Sequence, residues 1–136
     1  MTIVNLAPTT VQSVVQQYFA ASRSTTKVEG MVACFAEDAT TYEPVGGPPS
    51  QGHAAIRQTL QGLVDLFAEV GLREEFVSVN GHQVAVKWRG QGLGRSGRTV
   101  AFEGIDLFEV NEAGQIQTLW AYWNPMALVA ELQEAA

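Results

Sequence analysis

From Val11 to Phe19 the apolar residues Val11, Val14, Val15, Tyr18 and Phe19 recur at i, i+3, i+4, i+7 and i+8, which is one face of an α-helix. Gln12, Gln16 and Gln17 fall mostly on the opposite face. Pro8-Thr9-Thr10 supplies a helix start, with a threonine placed to cap the first free N–H groups. Val28, Met31, Val32 and Phe35 repeat the spacing in a second, short helix, and Ile56, Leu60, Leu63 and Phe67 repeat it in a third that opens after Gly52. Between these two, Thr40-Thr41-Tyr42 reads as a short strand, and the prolines and glycines from Pro44 to Pro49 break it into a loop.

From residue 72 onward the period drops to two. His82, Val84, Val86 and Trp88 alternate with Gln83, Ala85, Lys87 and Arg89, which predicts a half-buried strand. Asn80-Gly81 before it is a tight-turn signal, so residues 72–79 are its antiparallel partner. Gly92 to Gly97 makes the next reversal, Arg98 to Val110 the next long strand, and Gln115 to Trp123 the last, with a short terminal helix after Pro125. Gly90-Gln91-Gly92-Leu93-Gly94 is glycine-rich but lies between two antiparallel strands, so it reads as a hairpin rather than a phosphate cradle. Helices followed by a meander of long strands predict an α+β domain, its helices on one face of a curved, cone-like sheet with an interior. No repeat or linker interrupts it, and residues 1–136 read as one domain.

Composition sharpens this picture. Hydrophobic residues make up 46% of the chain and charged residues 16%, against about 25% charged in an average globular protein. Disorder is excluded, and surplus apolar surface is left for a partner subunit or a ligand cavity. The late strands are apolar on both faces: Ile105 and Leu107 oppose Phe102 and Phe108, and Leu119 opposes Trp120. One face covers the helices; the other calls for a second sheet, so a homodimer is expected. The net charge is −6 with no basic run, which excludes a nucleic-acid partner. Cys34 is alone, which rules out an internal disulfide or a cysteine metal cluster, and its apolar neighbours suggest a buried structural thiol. His53 and His82 have no second ligand at metal spacing, so both read as structural and no metal is expected. No apolar run reaches the ~20 residues of a membrane span. Met1 to Pro8 has no leader pattern, and the expectation is a cytoplasmic protein.

Three residues carry candidate chemistry. Written by parity, one face of the strand from Val100 holds Val100, Phe102, Gly104, Asp106, Phe108 and Val110. A lone ionised carboxylate on so apolar a face is costly, and the usual escape is to keep a proton. A bulge that lets Asp106 reach solvent, or a buried arginine partner, are the alternatives. Tyr18 lies on the apolar stripe of the first helix, so its hydroxyl points inward, where a core tyrosine usually finds a hydrogen-bond partner. Glu43 sits where a strand breaks into a loop, a place where an isolated glutamate is most often solvated. Together, a base and two proton donors form the kit for moving a proton next to a carbonyl.

These segments resemble the bacterial ketosteroid isomerases (steroid delta-isomerases) of the nuclear transport factor 2-like, or SnoaL-like, superfamily. Val14-Val15-Gln16-Gln17-Tyr18 is similar to the helix bearing that family's oxyanion tyrosine. Met31 to Thr40, continued by Glu43-Pro44-Val45-Gly46, is similar to its second helix and base-bearing loop. Gly104-Ile105-Asp106-Leu107-Phe108 is similar to its strand with a protonated aspartate, and Gly52 to Arg57 also fits. The resemblance covers nearly the whole chain, with a small insertion around Ser24 to Lys27. It implies Glu43 as general base and Tyr18 and Asp106 as oxyanion donors, the aspartic acid kept neutral as in that family. It also implies substrate contacts at Phe35, Leu60, Val45, Phe102 and Trp123, and no cofactor. Two positions depart from the family: its usual base is Asp rather than Glu, and Phe35 and Leu60 stand where some members carry supporting tyrosines.

The activity so implied is allylic isomerisation of a β,γ-unsaturated ketone, steroid-like and hydrophobic, into conjugation. The same fold hosts dehydratases, cyclases and epoxide hydrolases through other side chains, and a non-catalytic hydrophobic-ligand or dimerisation module is the third alternative.

Overall fold

The computed structural model describes residues 6–134. Residues 1–5, within the stretch read above for a leader, and residues 135–136 lie outside the described residues. The first helix, α1 (Pro8–Ser22), buries Val11, Val15, Tyr18 and Phe19, as the stripe predicts. Its N-cap is Ala7 with no side-chain cap, not a threonine. Pro8 takes the first helical position, where its missing N–H costs nothing and its φ is already helical. Two of the expected helices are shorter than the spacing suggests. The second, α2 (Val28–Val32), stops before Phe35, which opens strand β1 (Phe35–Tyr42). After the two-residue β2 (Ser50–Gln51), α3 (Gly52–Val64) stops before Phe67, which opens β3 (Phe67–Asn80). Both phenylalanines are buried, so apolar spacing alone did not distinguish helix from strand at these ends.

The remaining elements are β4 (Gln83–Gly94), β5 (Thr99–Val110), β6 (Ile116–Tyr122) and α4 (Pro125–Leu132). Asn124 caps α4, its side-chain oxygen accepting from the Ala127 N–H at 3.1 Å. The strands form one sheet in the order β2-β1-β6-β5-β4-β3, antiparallel throughout except that β1 runs parallel to β6. The expected α+β arrangement is therefore present, with a curved open sheet and α1 and α3 packed on its inner side. The Gly90–Gly94 segment forms the end of β4 rather than a hairpin; the reversal follows it, with the Gly94 N–H donating to Arg98 O at 2.7 Å. Gly90 lies on the inward face where a Cβ would stand 2.5 Å from the Phe102 ring, so the glycine makes room for an aromatic side chain.

β3 is an open edge, a template for unwanted pairing. The end of α1 and the turn after it cover its stretch at residues 70–72. The Leu72 N–H donates to Ser22 Oγ at 3.0 Å, Arg23 donates to Leu72 O at 2.7 Å, and the Lys27 ammonium donates to Val70 O. The core between helices and sheet is centred on Phe19, Phe35, Phe108, Ile56, Leu119 and the valines of α1 and β4. Burial of each large side chain contributes about 1.5–3 kcal/mol. His53 donates from Nε2 to Phe35 O at 2.8 Å. His82 sits in the turn, accepting from the Leu6 N–H and donating to Val110 O, so both imidazoles bind backbone. Cys34 is half-buried rather than deep, with Sγ 3.5 Å from Gly30 O. No helix among the described residues is long and apolar enough to cross a membrane.

Candidate active site

A narrow apolar pocket lies between α1, α3, the inner face of the sheet and α4, with a cavity volume of about 60 Å³ as the side chains stand. Leu60, Leu63 and Val64 of α3 form one wall, Phe67, Val70 and Leu72 of β3 another, and Leu128 of α4 closes the far side. Tyr18, Glu43 and Asp106 all enter this apolar space, from α1, from the loop after β1 and from β5. Among the described residues no arginine, lysine or histidine lines it.

Tyr18 is 1% exposed. Edge-to-face contacts with Phe19, Phe35 and Phe108, at centroid distances of 5.3, 5.6 and 5.4 Å, lock its ring, each worth about 0.5–1.5 kcal/mol beyond area burial. The hydroxyl has no protein partner among the described residues, so its proton is available to a ligand. Burial, then the Glu43 and Asp106 charges, push its pKa well above 10, and the phenol stays protonated.

Asp106 is 3% exposed. The pairing of β5 with its neighbours is regular at this point, Val86 on one side and Ala121 on the other. There is thus no bulge to carry it to solvent, and its strand neighbours and hydrogen-bond partner among the described residues include no arginine. Its partner is one the sequence reading missed: Trp88 donates from Nε1 to Asp106 Oδ1 at 2.9 Å. Burial, then the Glu43 charge, raise the Asp106 pKa well above 3.8, the indole hydrogen bond opposing them. Both of these causes favour the neutral, protonated form of the carboxyl.

Glu43 stands at the rim, where β1 ends beside β6. The Val45 N–H donates to Ala121 O at 2.8 Å and clips the following turn to the sheet. Its carboxylate accepts from Trp123 Nε1 at 3.1 Å, and burial raises its pKa to about 7, that hydrogen bond again opposing. The two indoles meet edge-to-face at 6.1 Å. Gly104 lies between them: a Cβ there would stand 2.6 Å from Trp88 Cζ2 and 2.9 Å from Trp123 Cβ.

Of the expected substrate contacts, Leu60, Phe102 and Trp123 line the pocket. Phe35 does not, since it is buried behind Tyr18 as part of that ring's aromatic clamp. Val45 does not either; its side chain is 38% exposed on the loop beyond Glu43. Trp88, Phe67 and Leu128 are lining residues that the reading of the sequence missed. For Trp88 a signal existed, because it shares the inward parity of Val84 and Val86 on β4.

The comparison with known proteins agrees with this architecture. A candidate polyketide cyclase from Xanthomonas campestris pv. campestris is 25% identical, with a TM-score of 0.79 over 93% of this chain and 98% of that one. SalBIII, an epoxide hydrolase/cyclase-like enzyme with a role in pyran ring formation in the polyether salinomycin, is 25% identical, with a TM-score of 0.73 over 87% and 93%. A candidate SnoaL-like polyketide cyclase from Jannaschia sp. CCS1 shares the fold at 15% identity, with a TM-score of 0.80 over 100% and 98%. The SnoaL-like domain model matches residues 15–119. The chain, with its nuclear transport factor 2-like fold, belongs to the SnoaL-like domain family.

Proposed function

We propose that this protein is a cofactor-independent enzyme that forms the enolate of a hydrophobic ketone, and that it isomerises a β,γ-unsaturated, steroid-like ketone into conjugation. The observation that carries this reading is the meeting of Glu43, Tyr18 and Asp106 in one apolar pocket, where burial raises the pKa of all three and brings Glu43 to about 7. Glu43 carboxylate takes the proton from the carbon between the carbonyl and the C=C bond. The electron pair moves onto the carbonyl oxygen, which accepts hydrogen bonds from Tyr18 and Asp106. Protonated Glu43 then returns the proton at the far carbon, and the double bond ends in conjugation with no net loss or gain. The low polarity of the walls strengthens each of these interactions.

The direct experiment mixes the pure protein with an unconjugated steroid ketone and follows conjugated-enone absorbance. Turnover above the buffer rate is expected; none from folded protein at high concentration would refute the isomerase reading. A second reading, ring closure by epoxide opening, is favoured by the likeness to SalBIII and by the same pair of carboxyl groups, one a base and one an acid. There Glu43 would take the proton of an internal hydroxyl and Asp106 would give one to the epoxide oxygen.

The reading includes a homodimer formed through the outer face of the sheet. Ile105, Leu107 and Tyr122 are 48%, 38% and 47% exposed there, flanked by Trp120 stacked on Tyr42. Sedimentation at micromolar concentration is expected to give twice the monomer mass, and Ile105→Lys to give monomer. A wild-type protein that stays monomeric would remove this part of the reading.

A further inference from the structure

We propose that Trp88 is a positioning residue that assigns the Asp106 proton to Oδ2, turning the acid into a donor aimed in one direction. This rests on the proposed function, in which Asp106 holds an oxyanion. The indole N–H is a donor only, so the oxygen it meets at 2.9 Å, Oδ1, is held in the role of acceptor. The carbonyl oxygen of a neutral carboxyl is its better acceptor, which leaves the acid proton on Oδ2. That oxygen has no protein partner among the described residues, and Asp106 borders the pocket. Trp88 is itself 3% exposed, wedged against Phe102 and Trp123 at centroid distances of 5.7 and 6.1 Å. It meets Gly104 at a point where any side chain would displace it. The indole thus has one orientation, and through it the carboxyl plane has one as well. Without the N–H, either oxygen can carry the proton and a share of molecules turn the hydroxyl away from the pocket.

The titratable groups that reach Asp106 are Glu43 from the loop after β1 and Tyr18 from α1. Its cross-strand neighbours Val86 and Ala121 are apolar.

The test uses the full chain with 13C-labelled aspartate carboxyls and compares wild type with Trp88→Phe. A second variant replaces Trp88 by its benzothiophene isostere, which keeps ring size and removes only the N–H. Because the indole stabilises the ionised carboxylate, its loss is expected to raise the Asp106 titration by about one pH unit. In the isomerase assay it is expected to lower kcat roughly tenfold, with KM little changed. A purely structural role predicts the opposite titration, because a loosened pocket admits water and lowers the carboxyl pKa. An unchanged or lowered titration in the isostere variant overturns the proposal, and so does an unchanged kcat. If the wild type shows no isomerase activity, the functional reading fails, and the titration still decides the role of Trp88.

Discussion

Replacing Glu43 by Gln is expected to lower kcat by on the order of 10² to 10⁴-fold, the usual contribution of a positioned general base. The amide keeps the shape of the side chain, and its oxygen still accepts from Trp123 Nε1, the contact that holds Glu43 at 3.1 Å. Fold and substrate binding should therefore persist while proton abstraction is lost. In the wild type, kcat/KM should rise about tenfold per pH unit below 7 and level off above it, since Glu43 acts as a base only when ionised and its pKa is about 7. The variant should lose that limb. A variant that retains wild-type turnover, or a wild-type profile flat from pH 5 to 9, would exclude Glu43 as the base.

Asp106 separates two kinds of chemistry as well as two kinds of residue. Asp106→Ala is expected to cost on the order of 10² to 10³ in kcat, the range for loss of one oxyanion donor. Asp106→Asn keeps an oxygen for the Trp88 N–H and presents an N–H₂ donor to the pocket, so isomerisation should fall by about tenfold or less. An amide cannot deliver a proton to an opening epoxide oxygen, so the ring-closure reading predicts that Asn is as inactive as Ala. Equal and large losses in both folded variants would thus favour ring closure over enolate stabilisation.

Stability discriminates further. With a folded pKa well above 3.8, Asp106 holds a proton in the native protein over an interval where the unfolded chain has lost it. Its contribution is full below about pH 4 and is lost as pH rises through the folded value. Glu43 acts in the same sense between about 4.5 and 7. The melting temperature of Asp106→Asn relative to wild type should therefore climb from pH 5 to 8. A structural, ionised Asp106 predicts the reverse, with Asn destabilising most at neutral pH.

Much of the site was legible in the chain because it rests on local periods. The 3.6-residue stripe of α1 turns Tyr18 inward, and it does so wherever that helix docks on a core. The two-residue period of β5 puts Asp106 on the face of Phe102 and Phe108, and Asn80-Gly81 marks the turn that joins β3 to β4. These are statements about one element at a time. The ends of elements were less legible: Phe35 and Phe67 continue a helical spacing but open strands, because at a boundary both conformations can bury the same ring.

What the sequence by itself determined, then, is the α+β layout and the inward faces that carry Tyr18 and Asp106, whereas the entry of Glu43 into the same pocket came from the tertiary structure. The tertiary structure decided their partners and their protonation. Trp88 meets Asp106 because the β4–β5 register sets Val86 opposite Asp106 and Trp88 opposite a glycine. Trp123 meets Glu43 because β1 lies parallel beside β6, a pairing between strands far apart in the chain that no short-range pattern encodes. It likewise placed Phe35 behind the tyrosine and Val45 outside the pocket. The physical reason is that a side chain's direction follows from the geometry of its own strand or helix. A hydrogen-bond partner requires two strands in register, and a raised pKa requires the removal of water from every side at once.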